Sequence, residues 1–384
     1  MALTATAARV MQLASVWLDS GAFGFVPQAN GSYIAGLSEG SDTFPFTNVG
    51  RWYQSTNDGL TWSAKGQTVG IFGASVLFPT NVHENIVLAP VWDIPSGKAG
   101  IIRSTDFAQN WSFVFGLLGP TPGSGRTVEV FGTQSWNRTQ AIAWGQFDGS
   151  NVNPPFTYAL STNAGASWTP QVSWDIGDAQ DKCNAMGIGS GGTVYAQYTK
   201  FTGVNRTSNF ARSDNYGSTW TTLSAPPGGT STPPNFGSAI CCFDNTNLVL
   251  AGGIRTSPAS STPAVWWSDD AGASLNLVPA ADIDDFPSGS FFTDSLEVKR
   301  LTRDACLLTI DQQNGSAGSP WRISLDKGHT YPITVTQGGS GPRTYQIPLG
   351  KIITTRTGAI LAALWASDDY ETADLELWRI TVDC

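Results

Sequence analysis

Hydrophobic and polar residues alternate in short stretches along much of the chain. Examples are residues 193–199 and 375–382, and a mostly apolar stretch covers residues 359–365. Alternation with a period of two residues is typical of strands that have one buried face, whereas helices repeat about every 3.6 residues. The pattern therefore predicts many short strands and argues against a helix-rich protein.

A turn-like stretch of eight residues recurs between these predicted strands. Its copies begin at positions 55, 104, 161, 213, 268 and 324, so neighbouring copies are 49 to 57 residues apart. The residues that define the regular copies are Ser55, Asn57, Gly59 and Trp62; Ser161, Asn163, Gly165 and Trp168; Ser213, Asn215, Gly217 and Trp220; Ser268, Asp270 and Gly272; Ser324, Asp326 and Gly328. The copy at 104 is degraded, with Ala108 in the glycine position. Self-similarity at this period predicts a fold built from repeated units.

The residue types at the fixed positions of the repeat have a physical explanation. An Asp or Asn side chain can close a turn on nearby backbone amides, and the glycine two residues later supplies a positive φ. Ser and Thr hydroxyls can join the two sides of the turn, and the aromatic residue can anchor the next strand. We therefore expect each copy to be a turn between two strands, and we call it the repeat turn.

The pattern S-x-D-x-G-x-[ST]-W resembles the Asp box, or BNR repeat, of the sialidase-like β-propeller superfamily. The resemblance implies an all-β propeller with four strands per blade. We expect one domain over residues 1–384 with seven blades, the last of which takes its outer strand from residues 1–17. A six-bladed ring with a separate N-terminal arm is the alternative.

Composition narrows the range of partners. The chain has 42 Gly, 22 Pro and 15 Trp but only 13% charged residues, which favours strands and turns. Its net charge of −9 disfavours binding to a nucleic-acid backbone or an anionic membrane. No apolar run has the length of a membrane-spanning helix, so we expect no membrane insertion.

The N-terminal residues and the cysteines predict little chemistry. Residues 1–9 lack the pattern of a signal peptide, so we expect a protein made in the cytoplasm, with release by lysis or association with a virion left open. The five cysteines show no metal-ligand spacing and are expected to be buried or incidental thiols.

The resemblance also implies where a ligand binds. In the superfamily the site lies opposite the repeat turns, on loops that join the second and third strands of each blade. In this chain those loops are expected at 39–51, 91–100, 147–156, 200–209, 254–263, 311–320 and 367–376. Sialidases carry an Arg-Ile-Pro motif whose arginine binds the substrate carboxylate, but Phe25 stands at that position here. A phenyl ring cannot replace a guanidinium, which argues against a working sialidase.

The candidate site residues come from the expected loops. Asp42, Asp93 and Asp284 are candidate catalytic carboxylates, because glycoside hydrolysis needs two such groups across a cleft. The candidate ligand-binding residues are Trp92, Asp93, Trp365 and Asp368, in which an indole could stack on a sugar ring.

We expect no cofactor and no dedicated metal site. The acidic clusters at 282–285 and 368–371 leave a calcium ion bound by oxygen ligands open. The two histidines, His83 and His329, belong to different predicted blades, which argues against a catalytic triad or a histidine metal centre.

Three functions remain open at this point. The preferred interpretation is a non-catalytic propeller for recognition or assembly, with a glycan as ligand. Its low Lys content and its richness in Ser, Thr, Asn and Gly suit a phage virion or tail surface protein, with other virion or surface proteins as partners. The alternative is an active, exo-acting glycoside hydrolase, and a third hypothesis is an assembly-factor propeller of the photosystem-stability type. Nothing in the sequence indicates an oligomeric state.

Overall fold

The structure is a computed structural model that describes most of the strands and turns of the chain. The described residues are 4–16, 23–28, 30–39, 49–67, 74–76, 80–83, 85–93, 98–116, 128–147, 157–172, 182–202, 205–224, 226–227, 236–257, 260–279, 283, 296–310, 321–338, 345–348, 353–367 and 373–383.

Every regular element in these residues is a β-strand. The chain divides into two compact units. The first unit comprises Ala8–Asp175 and Leu349–Arg379, and the second comprises Met1–Ala7, Ile176–Pro348 and Ile380–Cys384. Within the described ranges, no helix is long and apolar enough to span a membrane.

Three sheets of the first unit follow one another along the chain. Blade one contains β2 (Phe23–Pro27), β3 (Tyr33–Glu39), β4 (Val49–Ser55) and β5 (Ser63–Gln67). Blade two contains β6 (Ala74–Val76), β7 (Thr80–His83), β8 (Ile86–Asp93), β9 (Lys98–Ser104) and β10 (Ser112–Gly116). Blade three contains β11 (Val128–Ser135), β12 (Ala141–Phe147), β13 (Thr157–Ser161) and β14 (Thr169–Val172).

Three blades of the second unit repeat this arrangement, although the strands of blade six belong to a nine-stranded sheet that also contains the strands of the seventh blade. Blade four contains β15 (Lys182–Ile188), β16 (Val194–Thr202), β17 (Asn205–Ser213) and β18 (Thr221–Leu223). Blade five contains β19 (Phe236–Cys242), β20 (Leu248–Ser257), β21 (Ser260–Ser268) and β22 (Asn276–Leu277). Blade six contains β23 (Leu296–Arg300), β24 (Cys306–Ile310), β25 (Trp321–Ser324) and β26 (Ile333–Gly338).

The seventh blade combines strands from both ends of the chain. Its strands are β1 (Thr4–Val16), β27 (Tyr345–Pro348), β28 (Ile353–Thr354), β29 (Ile360–Ser367) and β30 (Ala373–Asp383). The N-terminal β1 lies beside β30, and β30 lies beside β29. The architecture is a seven-bladed β-propeller, so the sequence prediction of the fold is confirmed and the six-bladed alternative is wrong.

An ion pair links the N-terminal strand β1 to the C-terminal strand β30. Arg9 on β1 binds Glu376 on β30, with 2.6 Å between Nη1 and Oε1, and the Trp378 indole donates a hydrogen bond to the other carboxylate oxygen at 3.0 Å. Glu376 is only 2% exposed. A buried carboxylate is costly unless it is paired, so these two partners favour the closed seventh blade over an open one.

The hydrophobic core lies between neighbouring sheets. Leu248, Val249, Leu250 and Ala251 of β20 are all fully buried, because both faces of a middle strand are covered. Such strands read as continuous apolar runs. Burial of each large apolar side chain contributes about 1.5–3 kcal/mol to the free energy of unfolding, so these interfaces carry most of the stability.

Candidate ligand-binding face

Each blade has two ends of different construction. At one end lie the first hairpin of the blade and the repeat turn, and we call this the turn end. At the other end the second strand connects to the third, and we call this the loop end. Blade four illustrates both, because Val194 pairs with Ser213 at the turn end and Thr202 pairs with Asn205 at the loop end.

The repeat turn at residue 55 is closed by side-chain hydrogen bonds. The Ser55 hydroxyl donates to Asn57 Oδ1 at 3.0 Å and accepts from the Gly59 amide at 2.9 Å. Asn57 Oδ1 also accepts from the Thr61 amide at 2.9 Å. The Trp62 indole donates to the Gly59 carbonyl at 3.1 Å. The predicted turn chemistry is therefore present, and its polar groups are occupied by one another.

The fourth position of every repeat turn has a left-handed backbone. Its φ lies between 58° and 64° at Asp58, Phe107, Ala164, Tyr216, Ala271 and Lys327. This conformation is unusual for residues other than glycine. In five of the six turns its amide donates to a carbonyl in the first hairpin of the same blade, for example from Ala164 to Thr139 at 2.7 Å. The strained residue therefore docks the turn onto its own blade.

The degraded copy keeps the same geometry. The Ala108 amide donates to the Ser104 hydroxyl at 2.9 Å, and that hydroxyl donates to Asp106 at 2.8 Å. Ala108 has a φ of 61°, in a position where the other copies have glycine. A non-glycine residue in this region costs about 1–2 kcal/mol, so the degraded copy folds as a repeat turn at a cost.

Asn and Asp close the turns with opposite donor roles. In the Asn turns the side-chain amide donates to the hydroxyl, as from Asn57 to Thr61 at 2.8 Å. In the Asp turns the hydroxyl donates to the carboxylate, as from Thr330 to Asp326 at 2.6 Å. The side-chain and backbone hydrogen bonds of Ser274 lower the pKa of Asp270. Burial alone would raise the pKa of Asp326, but its hydrogen bonds with Thr330 outweigh this effect and lower it.

In the first unit, Asp58 links blade one to the seventh blade. Its carboxylate accepts hydrogen bonds from Thr355 at 3.0 Å, from Arg379 at 3.1 Å and from Thr357. Burial alone would raise the pKa of Asp58, but the bonds from Thr357, Arg379 and Thr355 lower it below its ordinary value. The first repeat turn thus bonds to the hairpin and the last strand of the neighbouring blade.

In the second unit, Lys327 occupies the equivalent position with the opposite charge. Its Nζ lies 3.3 Å from Asp244 in the first hairpin of blade five and 3.8 Å from Asp304 in that of blade six. Sequence reasoning missed both ion-paired clusters. The only signal was that two of the six fourth positions, Asp58 and Lys327, are charged.

Glycines of the repeat turns also pack closely against side chains of the preceding blade. A Cβ atom at Gly165 would lie 2.4 Å from Leu88 Cδ2, and one at Gly328 would lie 2.2 Å from Val249 Cγ2. Only glycine permits such a close approach. The turn end is thus a packed scaffold whose described polar groups are largely used in internal bonds.

The connections between the second and third strands fall within the predicted loops. In blades four and five the predicted extent, 200–209 and 254–263, is wrong, because the strands continue as pairs up to two-residue connections. Strands border these connections at Glu39 and Val49 in blade one and at Asp93 and Lys98 in blade two. The candidates Trp92 and Asp93 are the last two residues of β8, where Trp92 pairs with Ala99 and Asp93 with Lys98. Trp365 lies in β29, two residues before that strand ends.

The remaining candidates lie outside the described residues. These are the predicted carboxylates Asp42 and Asp284 and the predicted ligand contact Asp368, and both acidic clusters considered for calcium fall largely there as well. Among the described residues, no group of three His, Cys, Asp or Glu residues is arranged to hold a metal ion. The assignment of these candidates stays a prediction.

Phe25 is part of the core of blade one. It is 2% exposed and belongs to an apolar cluster with Tyr33, Tyr53 and Leu361. Its ring lies 5.7 Å from that of Trp62, measured between centroids. The Phe25 side chain therefore contributes to hydrophobic packing within the first unit.

The described thiols are unsuited to nucleophilic chemistry. Cys183, Cys241, Cys242 and Cys306 are free and buried. Burial raises the pKa of Cys241 to about 12. A reactive cysteine needs an exposed thiolate of lowered pKa, so the expectation of buried thiols is confirmed for these four.

Comparison with known proteins supports the fold and little beyond it. No model of a known protein family matches the chain, and no curated protein matches it. A Dyadobacter fermentans protein of unknown function is similar in structure, with a TM-score of 0.52 and 13% identity over 98% of this chain and 99% of that one.

Two carbohydrate-active enzymes share the fold. A Penicillium chrysogenum α-L-arabinanase, solved with arabinobiose, has a TM-score of 0.54 and 12% identity over 97% of this chain and 98% of the enzyme. A Xanthomonas campestris GH74 xyloglucanase has a TM-score of 0.56 and 14% identity over 92% of this chain, which spans 51% of that enzyme. At these identities the likeness shows a shared propeller fold.

Proposed function

We propose that this chain is a non-catalytic glycan-binding propeller whose ligand lies against the loop ends. The burial of Phe25 supports the proposal, because Phe25 stands where the resemblance to sialidases implies a carboxylate-binding arginine, and its side chain is packed in the core instead. The arabinanase and the xyloglucanase support a glycan as ligand, since both are named for a carbohydrate substrate and share this fold.

The division between turn ends and loop ends supports the location. Polar side chains of the repeat turns bond to one another, which leaves few of them for a ligand. Exposed loops on a rigid scaffold are the usual place for binding residues. Trp92, Asp93, Trp365 and Asp368 remain the proposed contacts.

A glycan array tests this function when both retention of the protein and release of terminal sugar are read. We expect retention without sugar loss, and we expect Trp92→Ala and Trp365→Ala to weaken retention at least about tenfold, as buried aromatic anchors do. Leu325→Ala at the turn end is the control, because Leu325 is an exposed apolar residue outside the loop ends.

Sugar release would contradict the proposal. If release were abolished by Asp93→Asn but not by Asp214→Asn at the turn end, the chain would be a glycoside hydrolase. The association with a virion is a separate proposal, supported by composition alone. Co-purification with a capsid or tail particle would test it.

A further inference from the structure

The loop end of blade four is a two-stranded ribbon. Pairing between β15 and β16 begins with Lys182 opposite Thr199, whereas β16 and β17 continue as a pair to Thr202 opposite Asn205. The outer strand β18 reaches no further than Phe210. The last residues of β16 and the first of β17 therefore extend past the four-stranded sheet.

The loop end of blade five is built in the same way. Pairing between β19 and β20 begins with Phe236 opposite Gly253, whereas β20 and β21 continue to Ser257 opposite Ser260. The inner strands β15 and β19 pack against each other, so the two ribbons belong to neighbouring blades of the second unit.

These two ribbons bring cations to the loop end. In the ribbon of blade four, Lys200 pairs with Thr207 and Arg206 with Phe201, so the two cations stand at successive pairs and on opposite faces of the ribbon. In the ribbon of blade five, Arg255 pairs with Ser261. Lys182, at the start of the inner strand of blade four, adds a fourth cation. The described residues of both ribbons contain no carboxylate.

Other described loop ends are different. The end of blade one has Glu39, that of blade two has Asp93 paired with Lys98, and β30 of the seventh blade begins next to Asp374. The whole chain carries an excess of nine negative charges. The ribbons of blades four and five thus combine three cations with no carboxylate in a protein whose net charge is negative.

We propose that these ribbons bind the carboxylate or sulfate groups of an acidic polysaccharide. The proposal rests on the proposed glycan-binding function and names the class of glycan. Cations held on two neighbouring ribbons attract an anionic chain, while the acidic remainder of the protein repels it from other surfaces. The connection 173–181 immediately before Lys182 contains three aspartates and lies outside the described residues.

A charge-matched pair of variants tests this inference. The ribbon variant combines Lys200→Gln, Arg206→Gln and Arg255→Gln. The control variant combines Lys299→Gln, Arg300→Gln and Arg303→Gln at the turn end of blade six, with the same change in net charge. Both are measured on an array of sulfated, uronate-containing, sialylated and neutral glycans at low and at physiological salt, and thermal unfolding verifies that each is folded.

We expect the unchanged protein to retain sulfated or uronate-containing glycans above their neutral counterparts, with retention falling as salt rises. The ribbon variant should lose at least about tenfold in retention, and the control variant should lose less than about twofold. Equal loss in both variants, equal retention of neutral glycans, or retention of terminal sialosides alone would overturn the inference and leave glycan binding in place. If no glycan on the array retains the protein, both this inference and the proposed glycan-binding function are wrong. If the ribbon variant does not fold, Arg206→Gln and Arg255→Gln are tested singly against Arg303→Gln.

Discussion

The two ends of each blade differ in how uniform they are. The turn ends have almost the same geometry in all six copies, with left-handed residues at equivalent positions and repeated Ser–Asn or Ser–Asp bonds. The loop ends differ from blade to blade, from the long connection after Glu39 to the two-residue connection after Thr202. The difference teaches that the repeat encodes the scaffold, whereas the connections between the repeats vary, and it is there that we propose the ligand binds.

The largest effect is expected from loss of a repeat-turn glycine. Gly165→Ala places a methyl group 2.4 Å from the buried Leu88 side chain at a residue whose φ is 76°. Backbone strain of about 1–2 kcal/mol adds to overpacking of about 1–3 kcal/mol. We therefore expect the free energy of unfolding in urea to fall by about 2–5 kcal/mol.

Gly358→Ala is the matched control, because Gly358 has a φ of 86° but no atom lies within 4 Å of an added Cβ. It should cost only the backbone strain, about 1–2 kcal/mol. The reverse change, Ala108→Gly, should raise the free energy of unfolding by about 1 kcal/mol, since it removes strain at a φ of 61°. Equal losses for Gly165→Ala and Gly358→Ala would contradict the close packing of the turn end.

An intermediate effect is expected at the two oppositely charged clusters. Asp58→Asn keeps a residue that tolerates the left-handed backbone but removes the charge that binds Arg379, Thr355 and Thr357. Hydrogen bonds to charged groups are worth about 1.5–3 kcal/mol when partly buried, so we expect a loss of about 1–3 kcal/mol. Lys327→Met removes the more exposed ion pair with Asp244 and should lower the free energy of unfolding by about 0–1 kcal/mol.

A double-mutant cycle sharpens this test. The double variant Asp58→Asn with Arg379→Met should lose less free energy of unfolding than the two single variants lose in sum, because the two residues share one interaction. Additive losses would show that the Asp58 cluster does not couple blade one to the seventh blade.

The smallest effect is expected from exchange of Asp and Asn in the repeat turns. The pKa of Asp270 is lower in the folded chain than the value of about 3.9 for an unperturbed Asp. Its contribution to stability is therefore present above about pH 4 and is lost as the pH falls through the folded-state pKa. Asp270→Asn should change the stability little at pH 7. It should also reduce the loss of stability that occurs as the pH falls.

Asn163→Asp is the reciprocal change, since it converts an Asn turn into an Asp turn. It should make the acid-induced loss of stability steeper between about pH 4 and pH 2. Thermal unfolding across this range measures both variants. Parallel pH profiles for the two variants and the unchanged chain would refute the role of the carboxylates.

The fold could be predicted from the sequence because the repeat turn has characteristic residue types at fixed positions. Ser55, Asn57 and Gly59 perform local chemistry that is independent of distant residues, so their pattern is visible in the sequence. The places of the loops could also be predicted, because apolar strands alternate with polar connections. Their lengths in blades four and five could not, because polar residues there continue the strand pairing. The bond between Arg9 and Glu376 could not, since it joins residues from opposite ends of the chain.

The candidate site was less predictable for a physical reason. A binding site needs residues from several connections to converge, and no local pattern records that convergence. Trp92 and Asp93 could be proposed from the sequence because they lie in the predicted loop 91–100. The cationic ribbons were missed, because the positions of Lys200, Arg206 and Arg255 become comparable only when the strand register is known.

The most direct test of the account compares binding and stability in the same set of variants. Glycan retention and the urea midpoint are measured for Trp92→Ala and Trp365→Ala at the loop ends and for Asp58→Asn and Ala108→Gly at the turn ends. The account predicts that the loop-end variants lose retention at an unchanged midpoint, and that the turn-end variants shift the midpoint while keeping retention. Loss of retention in the folded turn-end variants, with none in the loop-end variants, would contradict it.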